Sequence, residues 1–234
     1  MDAVLAPNAI SAADKAAKDL VAEANHRIAN SLSLLVGMVR LQAKAAYRQP
    51  QPQPLNNSDV RLMLEAVAAR ISTIAQLHRL LSQAPHDGAT RLMPHLHAVS
   101  DAMVSALSSP EQPVTVDHTG EDCLVLTRQV QPIILIICEV FINAMKYAHP
   151  SGVPLVMRVD CTPSVDGHLV VAISDDGVGL PDGFDPLTRG GLGFKVMRGL
   201  AAEIGATLDI QSTGLGLVTR LSVPRVAMGS GKPC

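Results

Sequence analysis

The sequence contains no tryptophan, and only 2% of its 234 residues are aromatic. That excludes aromatic platforms for stacking nucleic-acid bases. Positive charge is scarce as well. Lys and Arg number 19 against 21 Asp and Glu, a net charge of −2, so the chain has no broad basic footprint for a polyanion. The four cysteines, Cys123, Cys138, Cys161 and Cys234, show no C-x-x-C spacing. This argues against a disulfide framework or a zinc cage and fits a reducing compartment. The opening residues, MDAVLAPNAI, lack a basic stretch followed by a long apolar one, so no secretory signal is read there. The longest strongly apolar run, Ile133–Cys138, falls far short of the ~20 residues of a membrane span. The expectation is a soluble, cytoplasmic protein with no membrane span and no nucleic-acid partner. A hydrophobic fraction of 47% is that of a globular chain, and its core must be built from Leu, Ile, Val, Met and Ala.

The first third reads as helical. From about Ala12 to Tyr47 there is no proline, and Val21, Ile28, Leu32, Leu35 and Val39 recur in steps of three and four. Three prolines at every second residue, Pro50, Pro52 and Pro54, then form a stiff connector. Ser58 or Asp59 can cap a second helix, whose stripe is Val60, Leu64, Val67, Ile71, Ile74 and Leu81. Two such helices make a hairpin that cannot bury a full stripe alone. A symmetric dimer forming a four-helix bundle is the simplest solution, and packing on the rest of the chain is the alternative. The predicted hairpin domain is 12–84, and Ala84–Thr90 is a break in pattern. A second domain is predicted over 90–226. Its helices are expected at Leu92–Leu107, Arg128–Ala148 and Leu192–Ile204. Its strands are expected at Val114–Val116, Cys123–Leu126, Leu155–Val159, Leu169–Ile173, Thr207–Ile210 and Leu217–Val223. The fold class is therefore α followed by α/β, with helices on one face of a mixed sheet.

Three constellations in the second domain carry chemistry. Glu139, Asn143 and Lys146 lie at i, i+4 and i+7, hence on one helix face. A carboxylate, an amide and an ammonium there are costly to bury without a task, although a solvated face is the plainer reading. An amide oxygen suits Mg²⁺, and a carboxylate can take a proton. Next, a strand runs into Asp175-Asp-Gly177-Val-Gly179. The glycines permit positive φ and close backbone approach, and Asp175 at the strand end is placed to accept from an exocyclic amine. Finally, Arg189-Gly-Gly191-Leu192-Gly193 opens onto a helix, directing free N–H groups and the positive dipole end at one spot, with Lys195 and Arg198 adding charge.

In this order the three resemble the N, G1 and G2 boxes of the GHKL ATPase superfamily and its Bergerat α/β sandwich, over about Leu92–Pro224. The resemblance implies ATP and Mg²⁺. Asn143 would hold the metal and Asp175 the adenine amine. Gly177 and Gly179 would shape the adenine pocket, and Gly191, Leu192 and Gly193 would cradle the phosphates, with Lys146 nearby. About nine residues separate Pro181 from Gly191, which implies a very short lid. Leu217 stands where the family usually brings a Thr or Ser toward adenine. Thr219, two residues on and on the same face, is the expected substitute.

A fourth feature selects within that superfamily. Glu23-Ala-Asn-His26-Arg27-Ile-Ala-Asn30-Ser-Leu32 on the first helix, followed by Arg40-Leu-Gln42, resembles the phosphoacceptor helix of two-component sensor histidine kinases. The second helix, Ala69-Arg-Ile-Ser-Thr-Ile-Ala-Gln-Leu-His78, is also similar to that group. His-Arg is the spelling of the HWE-related subclass. The Trp-x-Glu of HWE kinases is absent, so the match is to the neighbouring HisKA-2 type. The resemblance implies ATP-dependent phosphorylation of His26, which flanks the apolar seam rather than lying in it, and imidazole is a competent nucleophile near neutral pH. Glu139 would be the base, Arg27 would neutralise the transferred group, and Asn30 would support a secondary phosphatase reaction. The implied partners are a response regulator receiver domain and a second copy of the hairpin. The first 11 residues cannot form a sensor, so input is expected through a separate sensor protein, through the bundle itself, or from a sensor domain cut away before Met1. A histidine phosphotransferase with a degenerate nucleotide site, a GHKL serine kinase acting on an anti-sigma partner, and a non-enzymatic regulator-binding scaffold stay open. The other histidines, His149 among them, read as surface or partly packed.

Overall fold

Alternating apolar residues in the second half of the chain build a five-stranded sheet that is covered on one side. The computed structural model describes residues 57–81, 88–149, 152–186, 188 and 190–225, with scattered helical positions between 22 and 44. In chain order the elements are α1 (Asn57–Leu81), β1 (Ala89–Arg91), α2 (Met93–Leu107), β2 (Val114–Gly120), β3 (Leu124–Leu126), α3 (Thr127–Tyr147), β4 (Leu155–Pro163), β5 (His168–Asp175), α4 (Leu192–Glu203), β6 (Thr207–Thr213) and β7 (Gly216–Pro224). The sheet order is β2-β4-β5-β7-β6. The β2–β4 pair is parallel and the other pairs are antiparallel. The mixed sheet with helices on one face is the expected class. His26, Arg27 and Asn30, the proline-rich connector and the last nine residues lie outside the described residues.

Period-two burial decides which face the helices cover. Leu155, Met157, Val159 and Cys161 of β4, Leu169, Val171 and Ile173 of β5, and Leu221 and Val223 of β7 are all fully buried. The intervening Arg158, Thr162 and Arg220 are exposed. On the covered face α3 packs against α1, α2, α4 and the sheet. That position explains its run of Ile133, Ile134, Leu135, Ile136, Ile137 and Cys138, all at most 1% exposed. A helix that is apolar all round must be surrounded. Among the described residues α3 alone is long and apolar enough to cross a membrane, and 78% of its apolar window is buried inside the fold. Burial also pushes the Cys138 thiol up to about 12.

The structure extends and amends the expected elements. β2, β4, β5 and β6 each run further than predicted, because the added residues are mostly polar, Cys161 excepted, and are held by ladder hydrogen bonds rather than marked by an apolar pattern. β1 falls at the expected break at Ala84–Thr90 and pairs with β3. Three residues are too few to show a period. α1 differs more. Of its expected stripe, Val60, Leu64 and Ile71 are exposed, at 39%, 65% and 49%. The side it buries carries Ala66, Ala69, Arg70, Thr73, Ile74 and Leu77 and packs on α2 and α3. Small residues allow that close approach, and a hydropathy stripe does not register them. The hairpin's second helix therefore presents one face to the α/β domain and leaves an apolar one exposed.

Truncating the centre of α3 tests this core. Ile137→Ala should cost about 2–5 kcal/mol in urea unfolding with an unchanged slope. A loss below 1 kcal/mol would mean that α3 is not the packed centre.

Candidate active site

Glu139 is 3% exposed at its side chain, which rules out a solvated face at that position. Asn143 and Lys146, one and two turns on, are half-buried. A buried carboxylate needs a partner, and it comes from α1. Arg70 Nε donates to Glu139 Oε1 at 2.7 Å and its Nη2 to Oε2 at 3.0 Å, and the Arg70 side chain is 2% exposed. This planar two-point pair is the strong form of the interaction. Both carboxylate oxygens are engaged by the one guanidinium. The sequence reading did not single out Arg70. Its signal was an arginine among Ala66, Ala69 and Thr73 on a small-residue face.

The start of α4 approaches the same α3 face. Gly193 lets it do so, since a β-carbon there would lie 3.2 Å from Glu139 Oε2 and 3.4 Å from the Asn143 amide nitrogen. Gly191 is the N-cap, no side chain caps the helix, and no acidic residue lies in its first turn. The end therefore keeps unpaired backbone donors and a positive dipole suited to phosphate. Lys195 is exposed and Arg198 half-buried on this helix.

Asp175 ends β5 on the covered face, continuing Leu169, Val171 and Ile173. Its Oδ1 accepts from Gly177 N–H at 3.0 Å and from Leu217 N–H at 3.3 Å. Burial raises the Asp175 carboxyl above its ordinary range despite these two donors. Leu217 thus enters the site through its backbone. Thr219 is 1% exposed and lies opposite Ile173 of β5. Gly179 has φ of +73°, as its motif requires. Gly177 does not need positive φ. It is small because its α-carbon abuts Ala148 at the end of α3, where any side chain would overlap. Asp182, Gly183, Pro186 and Thr188 lie in turns, and Phe184 leans on Phe194 of α4 with ring centroids 6.4 Å apart.

A buried carboxylate, an amide-bearing helix face and an uncapped helix N-terminus thus surround one region of the covered face. Residues 129–227 match the family described as histidine kinase-, DNA gyrase B- and HSP90-like ATPase, and residues 23–107 match the family described as histidine kinase. The chain belongs to the histidine kinases. It is 24% identical to blue-light-activated histidine kinase 2 of Erythrobacter litoralis, over 87% of this chain and 56% of that one. It is 26% identical to the sensor histidine kinase PdtaS of Mycobacterium tuberculosis, over 88% of this chain and 40% of that one. The chain thus spans about half the length of these relatives. The solved histidine kinase domain of the Erythrobacter litoralis blue-light-activated kinase has the same fold, with a TM-score of 0.63 at 23% identity over 90% of this chain and 94% of that one. The phosphoacceptor assignments His26, Arg27 and Asn30 lie outside the described residues of this kinase.

Two measurements test the geometry. Arg70→Met leaves the Glu139 carboxylate buried without a cation and should cost about 3–5 kcal/mol. The double variant Arg70→Met/Glu139→Leu should recover most of that loss in urea unfolding. A double variant as unstable as the single one would contradict a charge-pair origin. Because the folded pKa of Asp175 is raised, its contribution to stability is full below the ordinary value of 3.8 and is lost as pH rises through the folded value. Relative to Asp175→Asn, the wild type should therefore gain thermal stability as pH is lowered from 7 to about 4. A constant difference across that range would contradict the burial of this carboxylate.

Proposed function

We propose that this kinase transfers the γ-phosphoryl group of ATP to a nitrogen of His26 and passes it to an aspartate of a response regulator receiver domain. The observation that carries the nucleotide half is the Asp175 carboxylate. It is buried at a strand end, fixed through Oδ1 by two backbone donors, and retains Oδ2 for the adenine amine. Gly177 and Gly179 shape that pocket, and Thr219 lines the same sheet face. Gly191, Leu192 and Gly193 offer backbone N–H groups to the phosphates, with Lys146 nearby. Asn143 is the residue that would hold Mg²⁺. The ion, when bound, would offset phosphate charge, and an amide oxygen is a suitable hard ligand for it. Phosphoryl transfer asks mainly for alignment and charge neutralisation. Arg27 beside His26 supplies charge. Glu139 serves as the base once it exchanges Arg70 for the imidazole, and Asn30 supports a secondary phosphatase reaction.

The domain division proposed is 12–84 for the phosphoacceptor hairpin and 90–226 for the ATP-binding domain. A homodimer would close over the exposed apolar face. That face includes Val60, Leu64 and Ile71 of α1 and Leu32, Val36 and Val39 of the preceding helix, which are 39–65% exposed in the single chain. Six such side chains are better buried against a copy than left in water. A cytoplasmic location completes the reading.

Incubation with γ-labelled ATP and Mg²⁺ tests it. The expected product is an acid-labile, alkali-stable phosphoprotein, absent in His26→Ala and in Asn143→Ala. Label that persists in His26→Ala contradicts the nucleophile. A wild type that takes label only from a phosphorylated regulator is a phosphotransferase.

A further inference from the structure

Asn143 and Asp175 sit on different elements, one on a helix and one on a strand end, and a single nucleotide must touch both. Something has to fix their spacing. The helix that carries Asn143 ends at Tyr147, and the turn after Asp175 is fastened to that end at three points. Val178 N–H donates to the Ala148 carbonyl at 3.0 Å. Gly177 abuts Ala148 closely enough to exclude a side chain. The third point is a side-chain link, His149 Nε2 to Asp176 Oδ1 at 2.8 Å. The same Asp176 oxygen accepts Val156 N–H of β4 at 3.0 Å, so this carboxylate joins the end of α3, the start of β4 and the turn after β5. The His149 side chain is only 15% exposed. Burial pushes the Asp176 carboxyl up, but the His149 and Val156 hydrogen bonds outweigh it and hold the carboxyl below its usual range.

The two consecutive aspartates therefore divide the work. Asp175 turns to the covered face, where its oxygen is gripped by Gly177 and Leu217. Asp176 turns to the helix end and is gripped by His149. His149 follows Asn143 by six residues, about 9 Å along a helix axis. A shift of the turn relative to that helix would carry the adenine-facing carboxylate away from the metal-facing amide, and misplacement on the scale of 1 Å is enough to cost about a hundredfold in a positioned site.

We propose that His149 is a positioning residue for nucleotide binding, which through Asp176 sets the spacing between Asp175 and Asn143. This rests on the ATP reading above. It gives a task to a histidine that the sequence reading treated as surface or partly packed. Calorimetric titration of ATP and of GTP, each with Mg²⁺, into the whole chain tests it, with thermal unfolding of each variant alongside. His149→Ala should weaken ATP binding about 10- to 100-fold, as loss of an orienting partner does elsewhere. It should also narrow the preference for ATP over GTP, since a displaced Asp175 reads the adenine amine poorly. His149→Gln keeps an N–H donor toward Asp176 and should restore most of both. Wild-type affinity and preference in His149→Ala would overturn the proposal. So would an equal loss in His149→Ala and His149→Gln, which would reduce the imidazole to packing. Asp175→Asn separates the two claims. If that variant still binds ATP as tightly as the wild type, the nucleotide reading has failed. If it does not bind while His149→Ala does, only the positioning role has failed.

Discussion

Arg70 and Glu139 neutralise each other where neither could stand alone. One belongs to α1 and the other to α3, the central helix of the α/β domain, and together they are almost wholly removed from water. A single charge left there would incur a desolvation penalty of several kcal/mol. The pair thus fixes how α1 lies on α3. That placement brings the small face of α1, with Ala66 and Ala69, into contact with the domain and turns its larger apolar residues outward. The same carboxylate stands one turn before Asn143 and beside Gly193. Packing of α1 and the geometry around Asn143 and the start of α4 therefore share one residue.

That sharing has a chemical consequence. While Arg70 holds both oxygens, Glu139 serves structure. A shift of α1 relative to the α/β domain would have to break this pair. The site's other end is built differently. Asp175 is held by backbone donors of its own turn and of β7, and the neighbouring Asp176 ties that turn to the end of α3. The Asp175 end is thus fixed within the α/β domain, whereas the Glu139 end is fixed partly by α1.

Much of the fold was legible because period-two and period-3.6 patterns register directly in the order of apolar residues. β5 and β7, with Val171 and Leu221 buried, follow this, and so does α3 with its apolar core. β1 was not legible, since three residues carry no period. The buried face of α1 was not legible either, because alanine, threonine and a paired arginine do not look apolar. At the site, Asp175, Asn143 and the glycines stood out through spacing. Arg70 and His149 did not, because each acts through a partner distant in sequence, Glu139 and Asp176.

The order of residues alone determined the family, the two kinds of domain and the residue types at the nucleotide site, since these depend on local pattern and on motifs whose members lie within a few residues of one another. Only the tertiary structure decided what each charge meets. It placed Arg70 on Glu139, His149 on Asp176, and the Leu217 amide, rather than its side chain, on Asp175. Burial and pairing are properties of three-dimensional neighbours. A carboxylate in the sequence is simply an acid, and its surroundings make it half of a buried ion pair, a clamp between elements or a strand-end acceptor held by backbone donors.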